Sequence, residues 1–460
     1  GVRDSPHFGG VMPQFELTEQ LLREAAQAVA CALRCQDWVL LLSQLFSCTE
    51  VVAACPHAAS VWEPLGVEWR KITLAAHDAG YLPPCMQVLQ GIDVLEKALE
   101  QVYALVSQQM LPAMRTDYPR LHFVADRLLM EGLAAASDVS CLPAALLEAC
   151  FQGLRSISCL PDDVGAAQGP SKGAPAPAKA TNASAPPPST WAPQEVVGVE
   201  ASSGEPMALP VGLSYSAAQQ PLAHFLANLE LALRLSFKAH TKSCMEACGV
   251  MQAHMWVASF PAQSVQLVDA VVWSQSVSSA LARTAAGDRP ALRGALDASV
   301  LRLETLVQQL RQAMASAAVL AEQVAAARQL SDVGAWDGTA AITELEEEEA
   351  EFEAAKQSVR GLRALIAAGV VHRQVVDGLV SCEAPSLESF EWLRQVRHYW
   401  DSETDVLYVA FAQTRLPYGF EYNGREVDAA CVTAPLSVPG LLAAVNALQT
   451  SPVVTLAMGG

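Results

Sequence analysis

From Leu292 to Ala317 the apolar residues return every three or four positions, at Leu292, Leu296, Val300, Leu303, Leu306, Leu310, Met314 and Ala317. A strand repeats every two residues, so this spacing calls for a long α-helix that lays one apolar stripe against neighbouring helices. The same period runs from Leu17 to Phe46 through Leu21, Ala25, Ala28, Ala32, Trp38, Leu42 and Leu45, and it predicts another long helix over about Met86 to Met114. Aromatic residues make up only 6% of the chain, so these helices must approach closely through Ala and Leu. The expected fold class is mainly α, an elongated helical bundle.

A chain of 460 residues, 52% hydrophobic and 17% charged, buries a large core and is expected to divide into two or three units. Its net charge of -19 argues against nucleic-acid binding, which needs clustered Lys and Arg, and against an anionic membrane surface. Twelve cysteines include no Cys-x-x-Cys pair. Cys31/Cys35 and Cys244/Cys248 each place two thiols on one helix face, a spacing open to zinc but read here as small buried apolar residues in a reducing compartment. No signal peptide is recognised at the N-terminus, and the chain lacks an initiator Met. Residues 429–460 carry no charge, but Pro435, Pro439 and Pro452 divide them into pieces too short to span a bilayer as one helix, so a soluble, intracellular protein is expected.

Residues 165–193 hold nine Ala and seven Pro, a composition that buries too little apolar surface to offset its ordering entropy, and are expected to be a flexible insertion. Asn182-Ala183-Ser184 within it matches a glycosylation acceptor by chance in an intracellular setting. Val196 to Leu213 alternates β-branched and turn residues, predicting a small hairpin before helices resume at Gln219. The acidic run Glu344 to Glu353 is read as a solvated helix face, partly offset by Lys356, Arg360 and Arg363.

Motifs for chemistry are missing. The chain has no Gly-x-x-x-x-Gly-Lys-Ser/Thr, His-Glu-x-x-His, Gly-x-Ser-x-Gly or Gly-x-Gly-x-x-Gly. His372 and His398 stand without an acid placed for a relay and read as structural residues. No catalytic residue and no metal ligand is assigned.

A family resemblance accumulates toward the C-terminus. Trp38 and Trp69-Arg70-Lys71-Ile72 begin it, followed by Tyr118-Pro119-Arg120-Leu121-His122-Phe123, with Asp126 and the Leu128-Leu129 pair after it. Trp256, Pro261, Gln263 and Trp273 form a Trp, aromatic-Pro-Ala-Gln, Trp series, and Val371-His372 opens a Val-Val helix. Phe390, Trp392, Gln395, Arg397, Tyr399, Trp400 and Asp401 fit a further motif, also compatible with an amphipathic helix burying Phe390, Trp392, Val396 and Tyr399. Tyr418 to Tyr422 and Asn423-Gly424 then look like a strand and hairpin turn. In this order the motifs resemble the linker of dynein heavy chains running into the first AAA+ module, ending before its phosphate loop. Ala125 and Leu121 depart from the family pattern, as do Arg373-Gln374 and Ser437-Val438.

The resemblance implies that residues 1–164 are the N-terminal helical part of the linker, 165–195 the insertion, 196–416 its C-terminal helical part, and 417–460 the first strands of an α/β AAA+ module. It implies a lever that couples ATP hydrolysis in the AAA+ ring to minus-end-directed movement along microtubules. Val432, Pro435 and Leu436 would lie on the adenine side of the nucleotide. ATP and Mg belong to the parent chain, and tight binding to this segment is not expected. The implied partners are the AAA+ ring of the same chain, intermediate and light intermediate chains, and microtubules. The implied location is the cytoplasm and cytoskeleton, or the ciliary axoneme, with a slightly closer match to axonemal members. Residues 417–460 in isolation are expected to be poorly ordered or aggregation-prone. A motor-less helical scaffold fits the composition equally well, and a thiol or metal enzyme would require the cysteines to converge.

Overall fold

The computed structural model describes residues 8–80, 82–160, 194–216, 220–332, 339–382 and 386–424. The chain divides into two compact units: the first contains residues 1–199 and 212–232, the second 200–211 and 233–460. The proline-rich insertion lies outside the described residues. The fold is mainly α with small β elements, as the apolar period predicts.

The first unit begins with α1 (Phe8–Leu45), α2 (Thr49–Ala54), α3 (Pro56–Ala79), α4 (Leu82–Val88) and α5 (Ile92–Asp117). The long helix expected over Met86 to Met114 is therefore two, because Gly91 takes a φ of +81°, a left-handed conformation that interrupts the α-helical ladder. On α1 the buried stripe is Ala25, Cys31, Cys35, Leu42 and Leu45, while Leu21 and six other large apolar residues face solvent. By length and composition alone Met12–Leu45 could cross a membrane. Its buried face is held to α5 by Arg34 Nε on Glu96 Oε1 at 2.5 Å and by Cys31 Sγ on Glu96 Oε2 at 2.9 Å. Burial pushes the Cys35 thiol up to about 12, so it stays protonated and acts as a small apolar side chain.

Helices α6 (Asp126–Ala135) and α7 (Ala144–Cys150) come next, then β1 (Leu154–Cys159), β2 (Gln194–Ala201) and β3 (Pro206–Tyr215), with β2 central in a three-stranded sheet. The hairpin expected over Val196 to Leu213 is present as β2 and β3. Helix α8 (Leu222–Ala247) starts in this unit, and the Tyr118-Pro119-Arg120 motif grips it. Tyr118 Oη donates to Glu230 Oε2 at 2.7 Å, and Arg120 donates to Glu230 Oε1 at 3.1 Å and to the Cys150 carbonyl at 3.0 Å.

The second unit contains α8 from Leu233 onward, α9 (Ala253–Ser259), α10 (Ala262–Ala285), α11 (Pro290–Asp332), α12 (Thr339–Val380) and the short α13 (Phe390–Leu393). It also contains the three-stranded antiparallel sheet β4 (Arg397–Asp401), β5 (Val406–Phe411) and β6 (Thr414–Pro417). Helices α11 and α12 pair antiparallel: Leu303 lies against Gly369, Arg363 reaches Met314, and Arg328 bonds Glu349 at 2.8 Å. The shielded stripe of α11 is Leu292, Leu296, Ser299, Leu303, Leu306, Leu310, Ala313, Ala317, Leu320, Val324 and Ala327, alternating steps of four and three. Val300 and Met314, expected on that stripe, are 37% and 46% exposed. A seam of period 3.5 takes Ser299 and Ala313 instead, because successive steps of four would drift round the helix.

The segment 390–401 is not one amphipathic helix. Phe390 is 66% exposed, Trp392 is fully buried, and the backbone turns into β4, where Tyr399 pairs with Tyr408 and Arg397 with Ala410. Two aromatic rings stacked across the strands, Tyr399 and Tyr408 at 5.3 Å, favour the sheet over helical continuation. Residues 418–424 form no strand, and the chain beyond Asn423-Gly424 lies outside the described residues. Phe420 and Tyr422 are buried.

Close helix approach gives a direct test. A Cβ on Gly361 would stand 2.9 Å from Val257 Cβ, whereas one on Gly378 of the same helix meets nothing within 4 Å. Gly361→Ala is expected to destabilise the chain by about 1–3 kcal/mol through overpacking. Gly378→Ala should stabilise by up to about 1 kcal/mol through helix propensity. Urea denaturation of both variants checks this, and equal shifts of the same sign would rule it out.

Candidate functional site

The N-terminus of α10 is where the sequence motifs meet. Phe260-Pro261-Ala262-Gln263 ends α9 and opens α10, with Pro261 at the N-cap and no side-chain acceptor of its own. The orphan Ala262 N-H instead donates at 2.7 Å to Oε1 of Glu205, at the tip of the β2–β3 hairpin. Gln357 Nε2 of α12 donates to the same oxygen at 2.9 Å, and Tyr422 Oη donates to Oε2 at 3.3 Å. One carboxylate thus ties together a hairpin, two helices and the segment after β6. Burial raises its pKa, and these three donors oppose that shift.

Gln263 completes the tie. Its Nε2 donates to the Glu421 carbonyl at 2.9 Å and to Tyr418 Oη at 3.4 Å, while its Oε1 accepts the Asn423 N-H at 2.7 Å. The backbone of 421–423 is therefore held as a neighbouring strand would hold it, by a single amide side chain. Beneath it lies an aromatic box in which Phe420 meets Phe237, Trp400 and Tyr418 with ring centroids 6.2, 6.2 and 5.1 Å away. Phe420 has a φ of +50°, a conformation that costs a bulky residue of order 1–3 kcal/mol and persists only where packing over-determines it. Lys238, 5.8 Å above that ring, also bonds the Asp405 carboxylate at 3.1 Å and so fixes the box to the β4–β5 turn.

A second cluster supports α10 from behind. Asp269 is 3% exposed and is neutralised by Arg302 of α11, with His372 Nδ1 of α12 3.7 Å away. The His372 ring stacks on Trp273 at 4.1 Å and 7°, and Trp273 meets Trp392 edge-on at 5.3 Å. Burial lowers the His372 pKa although Asp269 opposes it. Trp256 Nε1 donates to the Cys244 carbonyl at 3.0 Å, and burial pushes the Cys244 thiol up to about 12. The structure thus brings Trp256, Pro261, Gln263, Trp273, His372, Trp392, Tyr418 and Tyr422 into one connected region of the second unit. Their chemistry is mechanical: Trp256, Gln263 and Tyr422 hold backbone or another side chain, while the indole N-H groups of Trp273 and Trp392 are buried without a partner.

Val432, Pro435 and Leu436 lie outside the described residues. Among the described residues no group of three or more His, Cys, Asp or Glu is placed to hold a metal. Sequence reasoning missed Glu205 and Gln357. Gly204 with a φ of +81° marks the hairpin turn, but the partners of Glu205 stand 57, 152 and 217 residues away, beyond any local pattern.

Residues 1–244, more than half of the chain, match the family described as dynein heavy chain, N-terminal region 2. Over 431 residues and 91% of its length the chain is 22% identical to human dynein axonemal heavy chain 6, of which it covers 9%. It is 22% identical to rat dynein axonemal heavy chain 1 over 90% of its length and 7% of that protein. It is also 21% identical to mouse dynein axonemal heavy chain 3 over 88% of its length and 8% of that protein. The chain therefore spans less than a tenth of the curated relatives it matches.

Two measurements probe the joint. Glu205→Ala leaves the Ala262 N-H, the Gln357 amide and the Tyr422 hydroxyl without their acceptor and is expected to cost about 2–4 kcal/mol. Less than about 0.5 kcal/mol by urea denaturation would show the carboxylate to be dispensable. His398 is held neutral, its pKa pulled down from 6.5 to about 4 by burial and by His372. A depressed folded pKa contributes stability above the unfolded value that is lost as pH falls toward the folded one. Between about pH 7 and pH 5 the wild type should lose about 2 kcal/mol that His398→Gln does not lose, and parallel pH profiles would contradict this.

Proposed function

This chain belongs to the dynein heavy chain family, and on that premise we propose that residues 17–416, apart from the insertion, act as the linker of such a motor. In this reading residues 417–460 open the first AAA+ module, and the linker couples ATP hydrolysis in the AAA+ ring to minus-end-directed movement along microtubules. The observation that carries it is the joint: the segment leaving the helical body is clamped through Glu205 and Gln263 to α10, α12 and the β2–β3 tip. A lever must hand displacement to the next module without slack, and a hydrogen-bonded, aromatic-packed exit does so because it has few alternative arrangements.

Val432, Pro435 and Leu436 remain the candidates for adenine contacts, and no chemical step is assigned to them. The partners in this reading are the AAA+ ring of the same chain, the intermediate and light intermediate chains, and microtubules. The axoneme is the proposed location, since the relatives compared are named as axonemal.

In the heavy chain that carries this segment, Gln263→Ala together with Glu205→Gln is expected to leave ATP turnover within about twofold and to slow microtubule gliding at least about fivefold. Gliding at wild-type speed would sink the lever reading.

A further inference from the structure

With 48 acidic side chains against 29 basic ones, a buried guanidinium should find a carboxylate in this chain. Arg397 does not. It is 7% exposed, its Nη2 donates to the Ala412 carbonyl at 2.7 Å, its Nε is buried without a partner, and no acid pairs with it among the described residues. Its charge is offset only by neutral groups, the Ala412 carbonyl, Tyr399 and the Trp392 ring 5.8 Å from its guanidinium carbon, so it is placed to take an anion.

Arg397 lines a cleft of about 420 Å³ between α10, the end of α13 and the β4–β6 sheet. Arg415 lines it too, its guanidinium carbon 5.2 Å above the Tyr408 ring, and none of the eleven lining residues is acidic. Tyr408 stacks on Tyr399, whose hydroxyl lies 2.9 Å from Ser278 Oγ, so hydroxyl donors stand beside the two cations. The turn that closes the cleft is stiff: Ala412 has a φ of +50°, its N-H donates to the Leu393 carbonyl at 2.9 Å, and its own carbonyl accepts from Arg397. Burial lowers the Arg397 pKa, Tyr399 opposes that, and the charge of Arg415 adds to it.

We propose that this cleft is a phosphate-binding site in which Arg397 and Arg415 hold the anion against the Tyr399–Tyr408 wall. Two guanidinium groups with no carboxylate between them match a doubly charged oxyanion better than a singly charged carboxylate, and guanidinium geometry suits its paired oxygens. The site is separate from the Glu205 joint and does not depend on the lever reading.

The test is to titrate inorganic phosphate into the full chain at constant ionic strength, followed by calorimetry. Saturable binding to one site is expected, with a Kd of about 1 mM or tighter. Arg415→Gln, at an exposed position that should not disturb folding, is expected to weaken it at least about tenfold. Arg397→Lys should weaken it as well in protein shown to be folded by its thermal transition. ATP that displaces phosphate would assign the group to a nucleotide, and ATP that does not would assign free phosphate; both support the site. No saturation, acetate binding as tightly as phosphate, or unchanged affinity in Arg415→Gln would each overturn the proposal.

Discussion

The half-buried carboxylate of Glu205 joins the β2–β3 tip, α10, α12 and the 418–424 segment at one point. It supplies what the N-terminus of α10 lacks, since Pro261 cannot cap the helix with a side chain and the Ala262 N-H would otherwise be orphaned in the interior. The same two oxygens fix α12 through Gln357 and the 418–424 segment through Tyr422. Because burial penalises its charge, Glu205 is tolerated only while those donors surround it, so each contact depends on the others.

Behind this joint, apolar packing and a few neutralised charges make a stiff support. Leu306, Leu362 and Leu365 join Val257, Val265 and Val268 in one core, and Leu292, Val376, Leu379 and Trp392 join Val277 and Leu281 in another. Asp269, charged and almost fully enclosed, is matched by Arg302, with His372 nearby. Ionic contacts in such surroundings add little net stability but penalise every arrangement that separates them. The result favours one geometry over many of similar energy.

Much of the fold was legible because helices and hairpins announce themselves locally. The period of the apolar residues located α1 and α11, and alternation with turn residues located β2 and β3. What failed were boundaries and continuations. Gly91 split a predicted helix by backbone conformation, Val300 and Met314 fell off a seam that only its antiparallel partner could phase, and Arg397 to Asp401 became strand because β5 offered cross-strand partners. The site was half legible: Pro261, Gln263, Trp273 and His372 stood out in the sequence, whereas Glu205 and Gln357 acquire their roles from contacts more than fifty residues distant in the chain.

Gly361 and Gly369 lie about two turns apart on α12, and each receives a neighbouring side chain where a Cβ would stand, Val257 and Leu303 respectively. Notches filled by knobs act as a key. For α12 to slide along α9 and α11, both side chains would have to leave their notches together and ride over residues that carry Cβ atoms. The paired helices can therefore bear compression along their length as a single rod, where a smooth leucine seam of the same area would creep.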